Sequence, residues 1–156
     1  MKRAFLFLLA LLACAFSGTI LAQNIVIGEK APELKNVLWL ADKAPAASDY
    51  SLLIFFHSSN RGCFASIDNV QKVSKGVEHK FKIIVITQEE ADKIAPLLTS
   101  YLSERFGVAF DHEKKIFANF GVQFVPFGVI TDAKNRVQWM GNPQTLTNKL
   151  IIQIIQ

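Results

Sequence analysis

The residues with the clearest capacity for chemistry lie between His57 and Cys63, around the only cysteine outside the first 22 residues. A cysteine thiolate attacks disulfides, whereas a cysteine buried among apolar side chains is inert. Cys63 is therefore either a reactive thiol or a structural residue. His57 is near enough in sequence to form a Cys–His nucleophile pair. A histidine between a strand and a turn is, however, more often a hydrogen-bonded or solvated surface residue.

The other histidines indicate no metal site. His79 and His112 are isolated among polar residues, where we expect them to be exposed. Together with Cys63 they lack the spacing of a metal-binding motif. We predict neither a metal ion nor a cofactor.

The composition excludes several classes of protein. The chain has 156 residues, of which 51% are hydrophobic and 19% are charged. This excludes a disordered or collagen-like chain, and the length fits one domain. Without Lys2 and Arg3, which lie in a segment that we expect to be removed, 15 basic residues stand against 13 acidic ones. So small a surplus gives no electrostatic basis for binding nucleic acid or an anionic membrane surface.

Residues 1–22 have the pattern of an export signal. A positive start over residues 1–3 precedes an apolar run over 4–16, and the small Ala22 follows shortly afterwards, as in a cleaved signal peptide. We therefore expect a single mature domain over residues 23–156. Two alternatives remain: an uncleaved membrane anchor over residues 4–22, and a lipoprotein that carries its lipid on Cys14. All three predict export to the periplasm or cell envelope.

The hydrophobic pattern predicts strands separated by helices. Strands are expected at 51–57, 81–86 and 127–131, and 136–140 should return as an antiparallel hairpin partner. One helix should run to about residue 75 with Cys63, Ile67 and Val70 on its apolar stripe. Others should follow a Thr87–Glu90 capping box, lie near 114–120, and cover 145–155. Residues 24–50 and the link after Gly107 show no regular pattern. This order predicts an α/β domain with a central mixed sheet flanked by helices.

The segment from Phe55 to Asn60-Arg61-Gly62-Cys63 resembles the active-site strand, turn and helix of thioredoxin-like proteins. It is most similar to that of the TlpA/ResA-type exported thiol-disulfide oxidoreductases. In that family the strand ends in Phe-Trp, and Trp-Cys-x-x-Cys then opens a long helix. With Phe55 on the strand phenylalanine, Cys63 matches the second cysteine and Asn60 matches the first.

Other segments resemble the same family in the same order. They are Gly28-x-x-Ala31-Pro32, which resembles its lead-in, and Asp111, Phe120-Gly121-Val122 and Val125-Pro126, which resemble its aspartate, Tyr-Gly-Val and cis-proline run. The resemblance covers residues 28–155 and implies a thioredoxin-like fold.

The resemblance implies roles for Asn60 and Cys63. In the family the first cysteine attacks a substrate disulfide and the second resolves the mixed disulfide. Here Asn60 takes the position of the missing nucleophile and, as a strong N-cap residue, should cap the helix. Cys63 takes the resolving position, where its apolar stripe predicts burial and a pKa that is not depressed. In the alternative alignment, Cys63-Phe64-Ala65-Ser66 is a CxxS motif with Cys63 as the attacker.

The resemblance also implies substrate contacts at Arg61, Gly62, Val125 and Pro126. The Val125–Pro126 bond should be cis, and in this family the residue before the proline pairs its main chain with an extended substrate. The alternative is a proline that merely begins a strand. Glu89 lies near where the family can place an acid that tunes the site, but an ordinary acid in the first turn of a helix is the simpler interpretation.

We therefore predict an exported thioredoxin-like protein of the TlpA/ResA type that acts, at most, as a monothiol through Cys63. The alternative is a redox-inactive thioredoxin-fold module that binds an extended peptide or protein partner. The expected partners are protein thiols or disulfides, or an extended peptide segment. Contact with a membrane is expected only through an uncleaved N-terminus or a lipidated Cys14. Dithiol reductase activity is not expected, because one cysteine cannot close an intramolecular disulfide.

Overall fold

The structure, a computed structural model, describes residues 25–156. Its strands are β1 (Leu38–Trp39), β2 (Tyr50–Phe56), β3 (Phe81–Thr87), β4 (Phe106–Phe110), β5 (Phe127–Asp132) and β6 (Val137–Gly141). Its α-helices are α1 (Arg61–Val73), α2 (Ala91–Leu98), α3 (Lys115–Asn119) and α4 (Asn148–Ile154), with short 3-10 helices at Leu40–Asp42, Glu78–Lys80, Thr99–Tyr101 and Pro143–Thr145. None of the helices in residues 25–156 combines the length and apolarity needed to cross a bilayer. The predicted signal peptide, with Cys14, lies outside the described residues.

The six strands form one mixed sheet in the order β1-β4-β3-β2-β5-β6. Strands β2, β3 and β4 run parallel to one another. Strand β1 pairs antiparallel with β4, β5 with β2, and β6 with β5. The apolar runs of β2 and β3 are largely buried, as expected of strands that are covered on both faces. This confirms the predicted α/β class with a central mixed sheet flanked by helices.

The sheet separates two apolar cores. Strand β2 supplies both, because successive side chains of a strand point to opposite faces: Leu52, Ile54 and Phe56 belong to one core, and Leu53 and Phe55 to the other. The first core also contains the predicted stripe of α1, which is Cys63, Ile67 and Val70. The second contains Ile116 and Phe120, from α3 and the residue after it. The turn from the end of β2 to the start of α1 therefore follows a strand whose side chains are packed into both cores.

Three predictions about local structure are wrong. Phe106–Phe110, expected to include an irregular link, is the fully buried strand β4 between β1 and β3. The Thr87–Glu90 capping box does not form, because Thr87 is the last residue of β3 and its Oγ1 accepts a hydrogen bond from the Glu89 N–H at 3.2 Å. Glu90 instead precedes α2 without a side-chain cap. The C-terminal helix is also shorter than expected and begins at Asn148.

Candidate functional site

Asn60 begins α1 and connects it to the loop before β5. Its Oδ1 accepts a hydrogen bond from the Gly62 N–H at 2.9 Å, so Asn60 caps the helix as predicted. Its Nδ2 donates to the Val125 carbonyl at 2.7 Å. Both ends of the amide are therefore engaged, and one side chain joins the start of α1 to the residue before the proline.

The Val125–Pro126 peptide bond is cis, as the resemblance implies. Gly62 packs closely beside this loop, since a Cβ on Gly62 would lie 3.5 Å from Pro126 Cδ and 2.8 Å from Gln144 Nε2. Val125 is half-buried, and its N–H donates to no acceptor within residues 25–156. The structure thus brings Asn60, Gly62, Val125 and Pro126 together and leaves one main-chain donor available.

Cys63 is the third residue of α1 and has no exposed surface. Burial raises the pKa of its thiol, a hydrogen bond from the His57 backbone opposes this, and the Glu89 carboxylate raises the pKa further. Because the thiolate is the reactive form, a fully buried thiol with a raised pKa is a poor nucleophile at neutral pH. Its place inside the helix also contradicts the CxxS alternative, which needs Cys63 at the helix start.

Glu89 lies closer to the site than the simpler sequence interpretation allows. Its side chain is 6% exposed, and it accepts hydrogen bonds from the Ser58 N–H at 2.6 Å and the Ser58 hydroxyl at 2.7 Å. Lys93 Nζ lies 2.5 Å from Oε1. Burial alone would raise the pKa of Glu89, but hydrogen bonds from Lys93 and Ser58, with the nearby His57, outweigh burial and lower it. The interpretation as an ordinary helix acid is therefore wrong: the carboxylate fixes the turn that leads to Asn60.

His57 is exposed, as expected, and is hydrogen-bonded within the same turn. Its Nδ1 accepts from the Ser59 N–H at 3.2 Å and lies 2.8 Å from Ser59 Oγ. Its Nε2 lies 3.7 Å from Glu89 Oε1. The imidazole is therefore engaged with Ser59.

The remaining predicted residues are at the surface. Arg61, the first residue of α1, is exposed, and so are His79 and His112. Within residues 25–156, no group of three histidine, cysteine or acidic side chains could hold a metal ion.

Two amides that sequence reasoning missed attach α1 to the segment before α4. Gln144 Nε2 donates to the Gly62 carbonyl at 2.7 Å. Asn69 Nδ2 donates to the carbonyls of Pro143 at 2.9 Å and Leu146 at 3.0 Å. The partners of Asn69 lie more than 70 positions away in the chain, so no local sequence pattern could have indicated these contacts.

Comparison with solved structures identifies the architecture. A thiol peroxidase from Chromobacterium violaceum superimposes with a TM-score of 0.68 and 13% identity, covering 86% of this chain and 88% of that chain. The thioredoxin domain of a thiol-disulfide oxidoreductase from Bacteroides vulgatus gives 0.65 and 11%, covering 85% and 100%. The chain has a thioredoxin-like fold. StoA from Bacillus subtilis shares this thioredoxin-like fold, with a TM-score of 0.57 and 12% identity over 80% of this chain and all of that one.

Sequence comparisons add nothing to this assignment: no protein-family model matches the chain, and a search of curated proteins finds no match. Within the thioredoxin-like domain, Cys63 is the one cysteine of the described residues, and it is not in a disulfide.

Proposed function

We propose that this chain is an exported TlpA/ResA-type protein that binds an extended segment of a partner protein and does not catalyse disulfide exchange. One observation carries the proposal: the Asn60 amide, bonded at both ends, occupies the helix start at which the resemblance puts the attacking cysteine. An amide cannot form a mixed disulfide. The loop beside it nevertheless keeps the features that suit main-chain recognition.

The binding half of the proposal is supported by the free N–H of Val125. An extended peptide gains affinity by pairing its main chain with unpaired backbone groups, while its side chains provide specificity. A partner carbonyl could accept from Val125 N–H without disturbing Asn60, which uses the Val125 carbonyl. The exposed Arg61 would attract an acidic partner segment to the same place.

The second candidate is a monothiol role through Cys63. It is favoured by the His57 backbone, which lowers the pKa of the Cys63 thiol, although burial raises that pKa more strongly. In this role the thiolate would attack a partner disulfide and release the partner's other sulfur as a thiolate. A thiol from another molecule would then resolve the mixed disulfide.

Alkylation of the native mature protein with iodoacetamide near neutral pH separates the two candidates. We expect Cys63 to react only after unfolding in urea, because its sulfur is inaccessible in the folded state. Rapid labelling of the folded protein would favour the monothiol role. An Asn60→Cys variant, reduced with dithiothreitol that is removed before labelling, is the control, since a free thiol at the helix start should label rapidly. We also expect no reduction of insulin, and catalytic turnover would contradict the proposal.

The binding half can be tested by NMR with reduced, carboxymethylated α-lactalbumin, which is a soluble unfolded chain without free thiols. We expect amide shift changes to be largest at Val125 and Gly62. Unchanged shifts at both amides at millimolar ligand would contradict peptide binding at this loop.

Export is part of the proposal and rests on the sequence of residues 1–22. Fractionation of the native host, with the mass of the recovered protein, distinguishes the possibilities. We expect a protein in the periplasmic fraction with the mass of residues 23–156. A membrane-bound protein would instead support an uncleaved anchor or a lipid on Cys14.

A further inference from the structure

A groove of about 420 Å³ adjoins the loop before Pro126, and Val125, whose N–H the proposed function uses, forms one edge of it. It lies between the end of β2, the start of α3 and residues 122–125. The apolar part of its lining is Phe56, Phe117, Ala118, Val122, Phe124 and Val125. We call it the Phe124 groove. Its size and composition are those of small-molecule sites, which are concave, mostly apolar and supplied with a few polar groups.

Phe124 makes this groove unusual on the surface of the domain. The residue is 74% exposed, the highest value among the large hydrophobic residues that the structure describes. An apolar ligand in the groove would remove part of this ring from water, which is favourable in proportion to the area covered. The neighbouring Phe117 is held in place, because its ring packs edge-on against the buried Phe55 with centroids 4.9 Å apart.

Lys114 determines the charge of the ligand that the groove would accept. Of its ten lining residues, one is a lysine and none is acidic. The acids near Lys114 in the chain are engaged elsewhere: the buried Asp111 carboxylate accepts from backbone N–H groups of α3, at 3.0 and 2.9 Å, and Glu113 pairs with Lys115. Within residues 25–156, Lys114 forms no ion pair. An apolar groove with one uncompensated cation is complementary to an apolar anion.

We propose that the Phe124 groove binds a small amphipathic carboxylate, a fatty-acid-like molecule with one apolar chain and one anionic head. The chain would lie against Phe117, Val122 and Phe124, and the head would lie near Lys114. The amide of Gln123, which also lines the groove, can donate a hydrogen bond to the same head group. This binding would use the side chains that line the groove, whereas peptide recognition would use the main-chain N–H of Val125.

Fluorescence titration of the mature protein with 11-(dansylamino)undecanoic acid tests the proposal. We expect saturable enhancement that dodecanoic acid reverses, and weaker binding of the uncharged methyl ester of the probe. Phe124→Ser should weaken binding at least tenfold. Lys114→Gln should weaken binding of the acid about two- to fivefold, as for one exposed ion pair, and should leave the ester unaffected. Ile27→Ser and Lys43→Gln, which change an exposed apolar residue and an exposed lysine outside the groove, should have no effect.

Three results would overturn the proposal. One is the absence of saturable binding below the micellar concentration of the probe. Another is equal affinity for the acid and its ester, or equal affinity of the wild type and both groove variants. The third is displacement of the probe by a tripeptide with a free C-terminal phenylalanine but not by dodecanoic acid, because the occupant would then be a peptide terminus. Both altered side chains are exposed, and circular dichroism will verify that the variants fold.

Discussion

Truncation of Asn60 should reveal a side chain that does more than cap a helix. Asn60→Ala removes the acceptor of the Gly62 N–H and the donor to the Val125 carbonyl. Loss of an asparagine cap costs about 1 kcal/mol, and loss of a hydrogen bond to a half-buried carbonyl costs about 1 kcal/mol more. We therefore expect the free energy of unfolding to fall by about 2 kcal/mol, the sum of these two estimates.

Asn60→Ser separates the two contributions. A serine keeps a capping oxygen for the Gly62 N–H but is too short to reach the Val125 carbonyl, so we expect a loss of only about 1 kcal/mol. Thr147→Ala is a matched control: Thr147 caps α4 through the Leu150 N–H at 3.2 Å and makes no second contact comparable to that of Asn60. Its removal should cost about 1 kcal/mol, which is the value for a cap alone.

Urea unfolding at pH 7, followed by far-ultraviolet circular dichroism, gives the free energies from midpoints at a common slope. Equal losses for Asn60→Ala and Asn60→Ser would show that the contact with Val125 contributes nothing. The inference that Asn60 holds the helix and the loop together would then be wrong. A loss below about 0.5 kcal/mol for Asn60→Ala would refute the cap as well.

Three further predictions concern Asn60, Glu89 and the start of α3. Asn60→Cys should form a disulfide with Cys63 that dithiothreitol reduces, because the two positions are one helical turn apart. Failure of the folded variant to form this disulfide would contradict the alignment with a CxxC motif. The folded-state pKa of Glu89 is lowered. The contribution of its carboxylate to stability should therefore be complete above the ordinary carboxyl pKa and lost as the pH falls through the folded-state pKa. The difference in unfolding free energy between the wild type and Glu89→Gln should shrink in acid, and a difference that grows would refute the assignment. Asp111→Ala should cost about 2 kcal/mol in the same urea assay, since two helix N–H groups lose their acceptor; a loss near zero would mean that water replaces the carboxylate.

The elements with an uninterrupted apolar pattern could be predicted from the sequence. Strands β2, β3 and β5 contain apolar runs over residues 52–56, 83–86 and 127–130, and the stripe of α1 has helical spacing. Strands β4 and β5 both contain a glycine, but the glycine of β5 is followed by three β-branched residues, whereas Gly107 of β4 is followed by one and then by an alanine, so β4 has the weaker strand pattern. Here the glycine is required by packing, since a Cβ on Gly107 would lie 2.6 Å from Pro45 Cδ. That contact joins distant parts of the chain, so it could not be inferred from local sequence.

The residues of the candidate site could be predicted where they lie in segments that resemble the thioredoxin-like family in the same order. Asn60 could be assigned as a cap from its residue type and its place before a helix. Its bond to Val125 could not be foreseen, because the two residues are 65 positions apart. Glu89 was misassigned for the same reason: its partner Ser58 lies 31 positions away. Meanwhile Thr87 and Glu90 matched a capping box by residue type alone, although Thr87 continues β3.

The electrostatics of the site explain why binding and disulfide exchange are separable in the proposed function. A thiolate at a helix start is stabilised by the unpaired N–H groups of the first turn. In this chain the Gly62 N–H donates to the Asn60 side chain, and the Cys63 N–H donates to the Asn60 carbonyl at 3.0 Å. The sulfur itself is buried and faces the field of Glu89, whose lowered pKa keeps that carboxylate charged at neutral pH.

The Val125 N–H, by contrast, bonds to none of these groups, although the Asn60 side chain holds the carbonyl of the same residue. The donors that would stabilise a thiolate are used internally, while the donor that would recognise a peptide is not. Restoring a thiol by Asn60→Cys should therefore restore oxidation chemistry without creating a peptide site. If the restored dithiol binds an unfolded chain and the wild type does not, recognition at this loop requires the thiol, and the separation of the two properties is wrong.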